Sequence, residues 1–249
     1  MVLIKTREEM ERIAGACRIV AETLEEVKGF VAEGVTTLEI ERFAEEHITA
    51  RGGTAAFKGY KGYPASICTS VNNQVVHGIP SGRKLRSGDI ISIDLGVYYK
   101  GYYGDAAVTL PIGEIGEEAA RLLAVTEAAL YAGIEMARSG NRVSDISHAV
   151  QRHVESNGFS VVRAFVGHGI GKFLHEEPQI PNYGAPGRGP RLREGMTLAI
   201  EPMVNAGGPG VMVLEDGWTA VTADGSLSAH FEHTVAITGS STKVLTRIS

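Results

Sequence analysis

A chain of 249 residues with 43% hydrophobic and 21% charged residues can bury a substantial core, and its composition excludes the disordered and fibrous classes. A net charge of −5 provides no basic field for nucleic acid or an anionic membrane, and no apolar run approaches membrane-spanning length. Two cysteines, Cys17 and Cys68, exclude a disulfide framework and suit a reducing cytosol.

Arg7 to Phe30 carries an apolar stripe of Met10, Ile13, Ala14, Cys17, Val20, Leu24 and Val27, the period of an amphipathic helix. Cys17 lies within that stripe and reads as core. Thr36-Thr37-Leu38-Glu39 has the capping-box pattern, so a second helix opens there and stops at Gly52-Gly53. After an irregular Gly/Tyr stretch from Phe57 to Pro64, Ser66 to His77 predicts a strand. Ile90 to Val97 alternates, with Ile91, Ile93, Leu95 and Val97 on one face and Ser92, Asp94 and Gly96 on the other. Lys100-Gly101 offers a turn, and Tyr102 to Leu110 returns as the second strand of a hairpin. In that register Asp94 lies opposite Ala107, and Asp105 is two residues along on the same face, a diagonal of about 7–8 Å. The two acids are either solvent-facing residues of an edge hairpin or a pair that holds metal. Further along, helices are predicted over Glu117–Arg138 and Val143–Asn157, and strands over Val161–Val166, Thr197–Ile200 and His230–Ile237.

The second half of the chain resembles the first. Leu85 to Val97 aligns without gaps on Leu192 to Val204, sharing Leu, Arg, Gly, Ile and Val and placing Asp94 on Glu201. Gly34, Ile40, His47 and Gly52 fall on Gly140, Ile146, His153 and Gly158 at nearly the same offset, and His-Gly-Ile recurs at His77 and His168. Two related αβ halves, 1–115 and 116–249, would bring Asp94 and Glu201 toward one axis from opposite sides.

Gly167-His168-Gly169-Ile170-Gly171 does not satisfy the dinucleotide fingerprint, and no helix pattern follows it. His175-Glu176-Glu177-Pro178 is not a zinc-protease helix, because Pro178 opposes that helix. The glycines beside His168 are expected to clear space for something to approach it. Glu232 shares a strand face with Thr234 and Ala236, again an acid among small residues. The inventory of Asp94, Asp105, Glu201, Glu232 and His168 is dominated by oxygen donors. It suits Mn, Fe(II), Co or Zn rather than a thiolate-held structural zinc.

At this point the chain resembles the type I methionine aminopeptidases. The likeness rests on Gly59-Tyr60-x-Gly62-Tyr63-Pro64, Val76-His77-Gly78-Ile79-Pro80, Gly167 to Gly171, His175 to Pro178, Ile200-Glu201-Pro202 and Glu232-His233-Thr234. It runs over essentially the whole chain. The resemblance implies an α+β pita-bread fold: a single catalytic domain over 1–249, in two pseudo-twofold-related halves, with a central curved antiparallel sheet covered by helices. It implies that Asp94, Asp105, His168, Glu201 and Glu232 hold two divalent ions, with Asp105 and Glu232 bridging.

The same likeness implies removal of N-terminal methionine by a metal-activated water, with preference for a small second residue. Glu201 is then the general base and acid, His175 the donor to the scissile carbonyl, and His77 a holder of the peptide. Tyr60, Tyr63, Cys68, Leu174 and Trp218 wall the methionine pocket, with Phe57 at its rim. Two positions depart from the family pattern, since relatives often carry Phe at Leu174 and a smaller residue at Phe57. Asn72, Gln74 and Ser228 align with a monovalent-cation site of the family. By the same analogy the protein is a cytoplasmic monomer acting on nascent polypeptide N-termini at the ribosome, without a direct nucleic-acid site or membrane contact. The near alternative is a relative of the same fold that cuts before proline.

Overall fold

A computed structural model of the chain describes residues 2–239 and 241–248. Helix α1 (Arg7–Phe30) opens with a reciprocal capping box between Thr6 and Glu9, and α2 (Thr37–Ala50) with one between Thr36 and Glu39. Each box satisfies two backbone donors that the helix itself leaves open. Helices α3 (Glu117–Met136) and α4 (Val143–Ser156) follow the sequence periodicity to within one or two residues.

Among the described residues the central sheet has nine antiparallel strands. Its main path runs Thr54–Ala55, Ile90–Tyr99, Tyr102–Pro111, Glu232–Thr238, Thr197–Ile200, Val166–Gly169 and Glu176–Pro181. One face is mostly apolar, with His233 as its polar exception. Ile91, Ile93, Leu95 and Val97 pack with Ile19, Val20 and Leu24 of α1 and Ile40, Ala44 and Ile48 of α2. On the same face of the other half, Leu198, Ile200, Val235 and Ile237 pack with Leu122 and Leu130 of α3 and Ile146 and Val150 of α4. The helices therefore cover one side of the sheet and leave the other side free to line a cavity.

The two halves repeat the same cross-links. Gly34 N donates to Leu85 O (2.8 Å) and Leu85 N to Val35 O (2.9 Å). At the matching positions Gly140 N donates to Leu192 O (3.0 Å) and Leu192 N to Asn141 O (2.8 Å). Isolated bridges link Thr36 to Lys84 and Arg142 to Arg191 in the same way. In each half the loop entering an acid-bearing strand is tied to the start of a helix.

Three predicted strands are interrupted. Ser66–His77 is two short strands in different sheets, Cys68–Val71 beside Ile90–Tyr99 and Gln74–Val76 beside Ala220–Thr222, because Asn72 takes a left-handed conformation (φ 59°) and its side-chain oxygen accepts from Ile90 N. Val161–Val166 divides between two sheets, as Ser160–Val161 pairs with Met203–Asn205 while Val166–Gly169 joins the main sheet. His230–Ile237 breaks at Phe231, with Ser228–His230 in the smaller sheet and Glu232–Thr238 in the larger.

Candidate metal centre and substrate cavity

Pairing register alone collects the acids. Asp94 pairs with Ala107, and Ala107 pairs on its other side with Glu232. Directly paired residues share a sheet face, and so do residues two apart, which brings Asp105 to the same side. In the other half His168 pairs with Ala199, and Glu201 lies two residues beyond. The residues between these side chains are small, Ala107, Thr234 and Ala199, so the polar groups meet across the free face. Ligand atoms of Asp105, His168 and Glu232 lie within 4.8 Å of one another, and His168 Nε2 is 3.5 Å from Glu201 Oε1.

Asp105, Glu232 and His168 are almost wholly buried, between 2% and 6% exposed, and Asp94 and Glu201 are partly exposed. Asp94 Oδ1, Asp105 Oδ1 and Glu232 Oε1 are buried with no hydrogen-bond partner among the described residues. Such orphaned acceptors are costly unless something cationic completes them. Burial pushes the Asp94 carboxyl up to about 7. Burial first, then neighbouring carboxylates, raises Asp105, Glu201 and Glu232 well above the usual range. Burial holds the His168 imidazole down, at about 4, so it is neutral and free to ligate near pH 7. The donor set and its unmet acceptors fit a divalent metal.

The acids must lose protons that their burial retains, while neutral His168 has none to lose. Metal binding near pH 6 should thus release protons, and affinity should fall as pH drops through about 7. Calorimetric titration in two buffers of different ionisation heat measures this. A binding heat independent of the buffer contradicts it.

A cavity of about 210 Å³ sits over these groups, and every expected metal, catalytic and pocket residue lines it. Phe57, Tyr63, Cys68 and Leu174 form its apolar wall, with Tyr60 and Trp218 packed against them. Cys68 pairs with Asp94 and so projects on the ligand face. Burial raises its thiol pKa well above the ordinary value, so it serves as wall rather than nucleophile. Tyr63 donates to Gly78 O (3.0 Å), with Trp218 edge-on to its ring at 5.2 Å. His77 is held in a left-handed conformation (φ 60°) beside Phe165, the kind of backbone outlier that clusters at functional sites. His175 Nδ1 lies 2.9 Å from the Tyr60 hydroxyl, and its ring lies over His168 at 4.2 Å. Burial lowers the His175 pKa, which leaves the ring neutral. When the Tyr60 O–H donates to Nδ1, the ring proton sits on Nε2.

A second cavity of about 200 Å³ adjoins the first, sharing Asp94, His77, His175 and Glu201 and continuing past Phe165, Met203 and His230. Sequence reading missed Lys61, His230, Phe165 and Met203. His230 was within reach of it, because it shares the period-2 face of Glu232. Its buried Nε2 is unpartnered and 3.8 Å from Glu201 Oε2.

One expectation changes in detail. The glycines beside His168 admit neighbouring backbone rather than a ligand: a Cβ on Gly167 would lie 2.5 Å from Ala199 O, and one on Gly169 2.4 Å from Glu177 O. At the suggested monovalent-cation site, the Asn72 and Gln74 side-chain oxygens accept from Ile90 N and Val71 N. Ser228 donates its hydroxyl to Val204 O or Asn205 Oδ1, and its backbone N–H to Asn72 O.

Comparison with known proteins places the chain in context. Residues 11–239 match metallopeptidase family M24. The methionine aminopeptidase of Clostridium perfringens is 54% identical over 100% of both chains, and methionine aminopeptidase 1 of Bacillus subtilis is 53% identical with the same coverage. The crystal structure of the Thermotoga maritima methionine aminopeptidase superposes with a TM-score of 0.98 at 50% identity over 100% of both chains. Prolidase from Pyrococcus furiosus, 24% identical, matches 99% of this chain and 66% of its own with a TM-score of 0.81, a likeness of fold.

Proposed function

Because this chain belongs to metallopeptidase family M24, we propose that its cavity removes the N-terminal methionine of polypeptides by metal-dependent hydrolysis. The function is that of its full-length methionine aminopeptidase relatives. What carries the reading is the convergence of Asp105, His168 and Glu232 within 4.8 Å on the floor of a cavity walled by Phe57, Tyr63, Cys68 and Leu174. An unbranched methionine side chain suits that apolar wall.

Asp94, Asp105, His168, Glu201 and Glu232 are the residues that would hold divalent metal, in our reading two ions. Bound there, metal supplies Lewis acidity that makes water a nucleophile near neutral pH. The chain's own groups account for the rest. Glu201 takes the proton of the attacking water and delivers it to the leaving amide nitrogen as the C–N bond breaks. His175 directs Nε2–H at the carbonyl oxygen where negative charge develops, held in that tautomer by Tyr60. His77, at the junction of the two cavities, orients the peptide around the scissile bond. The adjoining cavity of about 200 Å³ takes the second residue, with the preference for a small one carried over from the methionine aminopeptidase relatives. No helix among the described residues is long and apolar enough to cross a membrane. We place the activity in the cytoplasm, on nascent N-termini at the ribosome, with residues 1–249 acting as one monomeric catalytic domain.

Purified protein loaded in turn with Mn, Co, Fe(II) and Zn should release Met from Met-Ala-Ser and leave Ala-Pro-Ser intact. Preferential cleavage of Ala-Pro-Ser would assign the proline-directed activity instead. Release that survives complete metal removal would overturn the metal-dependent reading.

A further inference from the structure

Outside the cavity, the longest run of exposed apolar residues among the described ones is Met212, Val213 and Leu214, at 54%, 56% and 43% exposure. It belongs to the short strand Val211–Val213, which pairs with Ala220–Thr222, itself paired with Gln74–Val76. Val211–Val213 is therefore the edge of that three-stranded sheet.

The hydrogen-bond phase of this edge is fixed. Leu214 N donates to Thr219 O and Ala223 N to Gly210 O, so the even-numbered residues 210, 212 and 214 face the partner strand. The N–H and C=O of Val211 and Val213 point the other way, as alternation in an antiparallel pair requires. Among the described residues nothing bonds to them. The hairpin tip is braced, because Asp216 Oδ1 accepts from Trp218 N and Thr219 N at 2.8 Å each. Although only three residues long and flanked by Pro209 and Glu215, this apolar edge leaves backbone groups that a short added strand can pair with.

The hairpin that carries this edge also reaches the cavity, through Trp218 at its tip. Val213 pairs with Ala220, two residues from Trp218, and the third strand of the sheet ends at Val76 beside His77. Trp218 and His77 both line the cavity.

We propose that the free edge of Val211–Val213 docks the part of a polypeptide substrate downstream of its second residue, by strand addition. The proposal rests on the methionine-removal reading. Backbone pairing to Val211 and Val213 would be indifferent to sequence, as an enzyme acting on many N-termini requires, and Met212, Val213 and Leu214 would favour apolar, β-forming downstream residues.

The test compares kcat/KM for Met-Ala-Ser and for Met-Ala-Ser-Thr-Val-Thr-Val-Thr, in the wild type and in Val213→Pro. Proline deletes the outward N–H without removing a bond inside the hairpin. Wild type should prefer the octapeptide by about fivefold, the scale of a net hydrogen bond with some apolar contact. Val213→Pro should lose that preference while cleaving the tripeptide as wild type does. Val213→Lys, which keeps the N–H, should retain part of it and guards against a folding defect in the proline variant. Equal rates for the two peptides in wild type, or a preference that survives Val213→Pro, overturn the proposal. So does a concentration-dependent dimer in sedimentation that Val213→Pro dissolves with the preference intact, since the edge then pairs with a second copy. Absence of Met release from the tripeptide would instead strike at the methionine-removal reading.

Discussion

Replacing Glu201 by Gln should lower kcat for Met release from Met-Ala-Ser by about 10²–10⁴-fold, the usual worth of a positioned general base. Gln is nearly isosteric and keeps an oxygen that can face His168, 3.5 Å away in the parent, but it cannot accept a proton. Chemistry should thus suffer far more than substrate binding, with KM changed by no more than about threefold. The unfolding temperature of the metal-free variant should not fall, because burial first and then Asp94 and Asp105 already disfavour the ionised carboxylate. Because Glu201 is also among the residues that would hold metal, steady-state kinetics at saturating Mn, with metal content and melting measured on the same preparation, separates loss of the base from loss of metal. Near-wild-type turnover in Glu201→Gln would remove Glu201 from the proton path.

The second large effect belongs to Asp105. Asp105→Asn should weaken metal binding by more than the roughly 10–100-fold that loss of an outer partner of a metal ligand costs, and activity should disappear with the metal. Stability should move the opposite way. Burial and the adjacent Asp94 both penalise ionised Asp105, so the metal-free Asn variant should melt no lower than the metal-free parent near pH 7. Its gain in melting temperature on adding Mn should be smaller than the parent's. Metal content by mass spectrometry together with paired melting curves reads both signs. Full metal occupancy in Asp105→Asn, or a marked fall in metal-free stability, would show that the carboxylate has a structural role.

The sequence made the site legible because its geometry is one-dimensional. A period-2 strand and a tight turn at Lys100-Gly101 place Asp94 opposite Ala107 and Asp105 two residues on, and the structure has that register. The same alternation sets Glu232 on the free face. What no spacing could supply was the pairing of Glu232–Thr238 between Tyr102–Pro111 and Thr197–Ile200, a long-range contact that brings the second half's ligands to the first. The internal likeness of Asp94 to Glu201 suggested this convergence without proving it.

The misreadings have local causes. Asn72-Asn73 is a turn signal inside an apolar run, and apolar continuity hid it. The glycines beside His168 looked like access for a ligand. They serve close backbone approach, because carbonyls of two neighbouring segments occupy the space a Cβ would need. Lys61 lies between two predicted pocket tyrosines and adds a positive charge at the cavity wall, which residue type alone did not bring out.

The most direct test of the account is a crystal of the protein grown with Mn and measured for anomalous scattering. Two peaks are expected within coordination distance of Asp94, Asp105, His168, Glu201 and Glu232, with Asp105 and Glu232 touching both. An enzyme that releases methionine with Mn while those five side chains carry no anomalous peak would contradict the account at its centre.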